Sequence, residues 1–210
     1  MCPVPPVKLV VKQKKKMLEI FTGFETENKY VVSNALGQQV FYAMEHLSFI
    51  ARQLLGRSRK FEMKLVDCSV SEVLSVYRPF KCCIRCCSLC PCSTACLDEV
   101  EINCPASGTV GCIRQQCRGC QTLYSVEDAS NDRLLQIQGP ALCCNFSCIG
   151  ANVSYKVLTA DGVHIVGEIS KQWRGLLQEY LTDADTFAAK ALLMAATFLI
   201  DFMFFERKQR

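Results

Sequence analysis

The sequence predicts a mainly β protein: an antiparallel sheet closed into a barrel around one hydrophobic helix at the C-terminus. About ten short apolar segments are separated by turn residues, a spacing typical of antiparallel barrels. No convincing amphipathic helix precedes Leu176. One long apolar run, Ala188 to Phe205, stands near the end of the chain and carries apolar side chains on every face, so it must be enclosed on all sides.

The strand predictions rest on short apolar or alternating segments bounded by Gly, Pro, Asn and Asp. The turn Ala160-Asp161-Gly162 predicts one tight hairpin particularly clearly. In chain order the predicted strands are Tyr30–Val32, Val40–Ala43, Phe61–Val66, Val73–Tyr77, Val100–Ile102, Val110–Ile113, Thr122–Val126, Leu134–Ile137, Val153–Leu158 and His164–Ile169.

Length and composition favour one folded domain. The 210 residues are 50% hydrophobic and 21% charged, which excludes a disordered chain. We predict a basic, proline-containing N-terminal tail at 1–20, a barrel domain at 21–206 that includes a helix at 188–205, and a basic tail at 207–210. The positive charges at both ends suit either acidic lipid headgroups or solvated tails.

The environment of the final helix is the main alternative left open by the sequence. Eighteen residues give a helix of roughly 27 Å, just short of a hydrocarbon core. Lys190 and Asp201 interrupt it, and a carboxylate inside lipid is costly. The helix either spans lipid or fills the barrel, with Asp201 meeting a donor from the strands.

Sixteen cysteines occur without a recognisable signal peptide, which predicts a reducing compartment and free thiols. Three interpretations remain for the densest group: S-acylation, a zinc site combined with Cys117-x-x-Cys120, or buried thiols acting as small hydrophobic groups. The density of cysteines and the neighbouring cations favour acylation over zinc. The acylation candidates are Cys82, Cys83, Cys86, Cys87, Cys90, Cys92 and Cys96.

Enzyme and nucleic-acid motifs are not found in the sequence. His46 and His164 are the only histidines, and neither stands near a nucleophile motif. Pro3 and Pro6 have PxxP spacing, a weak signal for an SH3-type partner.

Several long segments resemble the phospholipid scramblase family. They cover most of the chain after the first twenty residues. The segments are FTGFETENKYVVSNALGQQVFYAMEH from Phe21, the Cys-rich segment leading into LDEVEINCPASGTVG, GEISKQWRGLLQEYLTDADTF from Gly167, and FLIDFMFFE from Phe198.

The resemblance implies a tubby-like fold, with twelve strands around a central C-terminal helix. It implies calcium-dependent, ATP-independent, bidirectional movement of phospholipids between leaflets. It also implies palmitoylation of the cysteine group, and nuclear import through the segment containing Lys171, Trp173 and Arg174. A core position for Trp173 in the last strand is the alternative interpretation of that segment.

The resemblance places the calcium segment at Asp183 and Asp185. Both could offer carboxylate oxygens, which Ca²⁺ prefers. The same residues, just before an apolar helix, also suit N-terminal capping. The family continues from this motif through Phe-Pro and Asp-Leu-Asp, whereas this chain runs directly from Phe187 into Ala188. We therefore expect an impaired calcium affinity.

The expected function is phospholipid scrambling by a lipid translocator, not a catalyst of covalent chemistry. The expected location is the cytoplasmic face of the plasma membrane, acyl-anchored or single-pass, with a nuclear pool and a homo-oligomer as further hypotheses. The alternative is an acyl-anchored lipid-binding or signalling adaptor without transport activity.

Overall fold

The computed structural model of the chain describes residues 7–14, 29–46, 59–80, 97–118, 121–141, 153–172, 176–181 and 187–205. Twelve strands precede one helix within these ranges. The strands are β1 (Val7–Lys14), β2 (Lys29–Asn34), β3 (Gln39–Glu45), β4 (Phe61–Val66), β5 (Glu72–Arg78), β6 (Glu99–Cys104), β7 (Gly108–Arg118), β8 (Gln121–Asp128), β9 (Arg133–Ala141), β10 (Val153–Thr159), β11 (Ile165–Gln172) and β12 (Leu176–Leu181). The helix α1 (Phe187–Ile200) continues into a π-helical turn, Asp201–Phe205.

The strands form one antiparallel sheet in which consecutive strands are neighbours. The first strand joins the two ends of the series: Val11 lies opposite Leu177 of β12 on one side and Val32 of β2 on the other. The strand pairings therefore run completely around a closed barrel. The predicted mainly β, antiparallel architecture with a single C-terminal helix is confirmed.

Alternating side chains explain why these segments are strands. In β4, Phe61, Met63 and Leu65 are at most 1% exposed, while Glu62 and Lys64 between them are half-buried. Successive side chains of a strand point to opposite faces, so the first three residues face the interior. The inward apolar residues of the sheet and the apolar residues of α1 form a single hydrophobic core.

The interior of the barrel is filled by α1. Every side chain from Ala191 to Ile200 is buried. A Cβ added at Gly111 of β7 would overlap the backbone oxygen of Glu127 and would lie 3.1 Å from Leu192 of the helix, so glycine is needed where the sheet approaches α1. Of the two environments left open by the sequence, the structure shows the strands enclosing the helix.

Among the residues that the structure describes, none belongs to a helix that is both long enough and apolar enough to cross a bilayer.

The N-terminal boundary predicted from the sequence is wrong, because residues 7–14 are not part of a tail. They form β1, the strand that pairs with both β12 and β2. Val11 is 1% exposed, whereas its neighbour Lys12 points to solvent. Lys12 thus occupies an outer position of a strand and not of a tail. The strand β12 was likewise not among the predicted strands.

The two ends of the barrel differ. Because consecutive strands run in opposite directions, five short turns all lie at one end, which we call the hairpin end. The turns are 35–38, 67–71, 105–107, 129–132 and 160–164. The strand β12 also finishes there, so α1 begins at the hairpin end and its π-helical turn reaches the opposite end.

Candidate functional site

Where the π-helical turn begins, a carboxylate is held inside the barrel. Asp201 is 5% exposed and accepts a hydrogen bond from the Tyr30 hydroxyl at 2.9 Å. The Tyr30 ring also packs edge-on against Phe198, with 5.3 Å between the ring centroids. A buried charge is tolerated where polar partners replace water, and Tyr30 is one such partner. The contact fixes the end of the helix to the first residues of β2.

The next residue, Phe202, lies against an aromatic ring and two cations. Its ring centroid is 5.0 Å from that of Phe61. The guanidinium carbons of Arg59 and Arg78 stand 4.4 Å and 5.3 Å from the Phe202 centroid. Contacts of this kind contribute about 0.5–2 kcal/mol each. Phe202 therefore fastens the helix to the start of β4 and the end of β5.

Both guanidiniums are neutralised in buried ion pairs. Arg59 Nη2 lies 3.0 Å from Glu45 Oε1, with both side chains at most 3% exposed. Arg78 Nη2 lies 2.5 Å from Asp98 Oδ1, and Arg78 Nη1 donates to the Arg59 carbonyl oxygen at 2.9 Å. We call Glu45, Arg59, Arg78 and Asp98 the buried rim cluster. Removing one member would leave an uncompensated buried charge, so the cluster ties β3, β4, β5 and the approach to β6 together.

A second polar group lines an open cleft of about 350 Å³ on the outer face of the barrel. Arg114 is its centre. Its Nε donates to Glu99 Oε1 at 2.9 Å, and its Nη1 donates to Asn131 Oδ1 at 3.0 Å and to the Glu127 carboxylate. The carboxylates of Glu99 and Glu127 therefore share one cation, Arg114. Its other charged lining residues are Glu101 and Asp128.

The thiol in this cleft, Cys112, is buried and is expected to stay protonated at neutral pH. Burial raises its pKa to about 11, and the neighbouring Glu127 adds to the shift. Its Sγ donates to Glu127 Oε2 at 3.7 Å. A thiol acts as nucleophile or metal ligand only as the thiolate, so Cys112 is a structural group in this environment.

The polar residues predicted within the helix lie far apart. Lys190 is half-buried in the first turn of α1, near the hairpin end. Asp201 is buried at the other end against Tyr30. The sequence analysis left open a helix in lipid, with these two residues as its polar positions. In the structure Asp201 instead contacts the strands.

The other predicted site residues lie outside the described residues. These are the calcium candidates Asp183 and Asp185, all seven acylation candidates, Trp173 and Arg174. Lys171 belongs to β11, opposite Val153 and Leu177. Within the ranges described above, no group of three or more His, Cys, Asp or Glu side chains is placed to hold a metal ion.

The three arginines that organise these contacts, Arg59, Arg78 and Arg114, were not predicted from the sequence. A signal for one of them was present. Leu74, Val76 and Arg78 occupy alternate positions of one strand, which predicts that Arg78 shares their inward face. All three are at most 2% exposed. For Arg59 and Arg114 the partners are distant in sequence or lie in turns, and no local pattern identifies them.

Comparison with known proteins identifies the family. The family model described as Scramblase matches residues 6–207, from β1 to just beyond the π-helical turn. The chain belongs to the scramblase family. The predicted resemblance is thereby confirmed, and the match includes the strand β1 that the sequence analysis placed in a tail.

Curated scramblases are similar over almost the whole chain. The chain is 37% identical to phospholipid scramblase 1 from Homo sapiens over 209 residues, which cover 95% of this chain and 63% of that protein. Identity to phospholipid scramblase 2 from Homo sapiens is also 37%, over 67% of its length. For phospholipid scramblase 1 from Mus musculus it is 38%, over 61% of its length. This member of the scramblase family thus spans about two thirds of the length of these relatives.

One solved structure shows the same overall fold. An X-ray structure of a protein from Arabidopsis thaliana superposes with a TM-score of 0.50, covering 95% of this chain and 94% of its own. The sequences are 12% identical, so this likeness concerns the fold alone.

Proposed function

We propose that this scramblase-family chain moves phospholipids between membrane leaflets, in both directions, without ATP and in response to calcium. The observation that supports this most is the match to phospholipid scramblases across both the barrel and its helix. The chain would act as a lipid translocator, not as a catalyst of covalent chemistry, at the cytoplasmic face of the plasma membrane.

The enclosed helix restricts how such movement works. A lipid headgroup needs a polar path across the hydrocarbon core. The interior of the barrel is packed with apolar side chains, and Asp201 is bound to Tyr30 within it. Headgroups would therefore move along the outside of the protein or at contacts between copies, which keeps a homo-oligomer within the proposal.

Membrane attachment in this proposal rests on acylation of the cysteines between Cys82 and Cys96. One acyl chain gives marginal, reversible binding, whereas two or more give stable anchoring. Labelling of the protein with a palmitate analogue, followed by hydroxylamine, tests this. Hydroxylamine-sensitive label on the segment supports thioester anchoring, and an unlabelled segment in cells contradicts it.

Calcium would bind at Asp183 and Asp185, in the segment that joins β12 to α1. Two carboxylates begin a calcium site but supply too few of the six to eight oxygens that the ion takes. We expect weak binding, measurable by isothermal titration at millimolar calcium. The heat should disappear in the double variant Asp183→Ala/Asp185→Ala, and equal heats from both proteins would place calcium elsewhere.

Reconstitution tests the transport activity itself. Purified protein in liposomes with a fluorescent phospholipid is treated with a membrane-impermeant quencher, which reaches the outer leaflet only. Scrambling predicts calcium-dependent quenching beyond the outer-leaflet fraction, and the double Asp→Ala variant provides the control. Quenching that stops at the outer-leaflet fraction with and without calcium would refute transport.

An adaptor that binds membranes without transporting lipid is the second candidate. It is favoured by one observation: the helix is buried inside the barrel, with Phe202 packed on Arg59 and Arg78. Such a protein would bind vesicles and show no activity in the transport assay.

Nuclear import through Lys171, Trp173 and Arg174 remains a prediction, as does an SH3-type partner. A reporter fused to residues 167–176 that stays cytoplasmic would contradict import.

A further inference from the structure

The two ends of the barrel carry opposite charge. At the hairpin end, the five turns and the segment 182–186 contain five aspartates and no lysine or arginine. The connections at the opposite end, together with residues 206–210, contain twelve lysines and arginines against five acidic residues. Those connections are 15–28, 46–60, 79–98, 119–120, 142–152 and 173–175.

Described side chains show the same separation. Lys12, Lys60 and Arg118 are exposed at the end opposite the hairpins, and Lys29 is half-exposed there. Lys12 and Lys29 belong to β1 and β2, Lys60 immediately precedes β4, and Arg118 is the last residue of β7. We call these four residues the basic rim. In the order of strands around the barrel, the basic rim covers the part from β1 to β7 that passes through β2.

Acidic groups near the basic rim are largely neutralised. Glu45 and Asp98 are buried in their ion pairs with Arg59 and Arg78. Glu99 is bound to Arg114, while Glu62 is half-buried on the outer face of β4. Among the residues that the structure describes, the exposed charge at this end is therefore predominantly positive. Phe80, just beyond β5, is 50% exposed and adds an aromatic ring beside the cations.

The carboxylates of the hairpin end are fixed within their turns. Asp67 accepts hydrogen bonds from the Ser69 hydroxyl and from the backbone of Ser71 and Ser69, which lower the pKa of its carboxyl. Asp161 accepts hydrogen bonds from the Thr159 hydroxyl and from the backbone of Val163, with the same effect on its pKa. Both stay ionised at neutral pH, so this end is repelled by an anionic surface.

We propose that the basic rim is a docking surface for an anionic phospholipid bilayer, with the hairpin end directed away from the membrane. Charge complementarity selects this occupant, because cations close to an anionic leaflet are attracted and carboxylates are repelled. This inference rests on the proposed function, which supplies the premise that the protein acts at a membrane. The four cations of the basic rim determine which end of the barrel faces that membrane.

The proposed orientation is compatible with the predicted acylation. The connection 79–98, which contains all seven acylation candidates, runs from the end of β5 to the start of β6, and both of these strand ends lie at the basic rim. Acyl chains attached there and the cations of the basic rim would engage the same leaflet. Calcium at 182–186 would be bound at the far end, so it would not bridge protein and lipid directly.

Vesicle binding by the full-length, non-acylated protein tests the docking surface. The probes are vesicles of phosphatidylcholine alone and of phosphatidylcholine mixed with phosphatidylserine, and the readout is co-sedimentation. The test variant is Lys60→Glu/Arg118→Glu. The matched control is Arg133→Glu/Lys156→Glu, which changes the net charge equally at exposed positions outside the basic rim. Thermal unfolding of each variant establishes that it is folded.

We expect the rim variant to lose about tenfold or more of its affinity for phosphatidylserine vesicles, and the control to stay close to the unmodified protein. Added salt should weaken the binding of the unmodified protein. Equal losses of affinity in the two variants would show that only net charge matters and would overturn the proposal. Unchanged affinity in both variants would overturn it as well.

A competing surface is tested in the same assay. The hairpin end exposes apolar side chains at its tips, among them Leu36 and Val70 at 82% and 77% exposure. Binding to phosphatidylcholine alone that is abolished by Leu36→Asp/Val70→Asp would place the membrane at the hairpin end and refute the basic rim. The vesicle assay measures binding and not transport. A protein that binds through the basic rim without scrambling lipid would refute only the proposed function, and a protein that scrambles lipid without binding through the rim would refute only the docking surface.

Discussion

At the scale of single residues, the most informative contact joins Tyr30 and Asp201, which are 171 positions apart in the sequence. The sequence identified Asp201 as costly in lipid and required a donor from the strands if the helix were enclosed. It did not indicate which donor, because a hydrogen bond across the barrel leaves no local pattern. The buried arginine pairs were not predictable for the same reason.

Replacing Tyr30 by Phe tests that contact. The change removes one hydrogen bond to a buried carboxylate while preserving the ring that packs on Phe198. We expect a loss of about 1–3 kcal/mol in the free energy of unfolding, measured by denaturant titration. In a double-mutant cycle with Asp201→Asn the two effects should be non-additive. Additive effects would show that the two side chains do not interact in solution.

Val70 combines a β-branched side chain with a left-handed backbone conformation. It has φ of 63°, a region that β-branched residues rarely occupy, and it is exposed. Val70→Asn should therefore raise the free energy of unfolding by about 1 kcal/mol. Leu36→Asn, at an exposed turn position without positive φ, is the control and should give no comparable gain. A destabilised Val70→Asn would contradict the turn geometry.

The buried thiol gives a prediction that depends on pH. With a pKa of about 11 and 7% exposure, Cys112 should react with iodoacetamide far more slowly than the exposed Cys68 at pH 8. Peptide mass spectrometry resolves the two sites, and the difference should vanish in denaturant. Equal labelling of the folded protein would show that Cys112 is accessible as a thiolate.

At the scale of the elements, alternation predicted most of the strands because an inward apolar face repeats every second residue. The same period was present in β1, where Leu9 and Val11 stand two positions apart and are flanked by Lys8 and Lys12. Its lysine content made it resemble a solvated tail, and only the pairing with β12 and β2 shows its role. The final helix was predictable within one residue of its start. Its change to a π-helical turn at Asp201 was not, since that change coincides with contacts made by Asp201 and Phe202 to distant strands.

Gly111 tests the fit between β7 and α1. Gly111→Ala should cost several kcal/mol, about 2–4, because the added Cβ overlaps the Glu127 backbone, which cannot move aside easily. The control Gly37→Ala has open space around it but φ of 77°, so its cost should be about 1 kcal/mol. Comparable costs for the two variants, measured by chemical denaturation, would mean that Gly111 does not lie this close to the β8 backbone and to Leu192 of the helix.

At the scale of the whole molecule, the barrel separates charge as well as enclosing the helix. The sequence shows where its cations and cysteines are, yet their arrangement at one end becomes apparent only from strand direction. The connection that contains the acylation candidates leaves and rejoins the sheet at the end that carries the basic rim, whereas the connection that contains the calcium candidates runs between the hairpin-end termini of β12 and α1. An effect of calcium on lipid would then have to pass through the barrel or along α1, which connects the two ends.

The account depends most on the claim that α1 is enclosed by protein and does not lie in lipid. Alkaline carbonate extraction of membranes containing the acylated full-length protein, with and without prior hydroxylamine, measures this directly. The account predicts that the protein stays with the membrane until its thioesters are cleaved and is then released. Retention in the membrane after complete removal of the acyl chains would contradict it and would show that the helix is inserted in the bilayer.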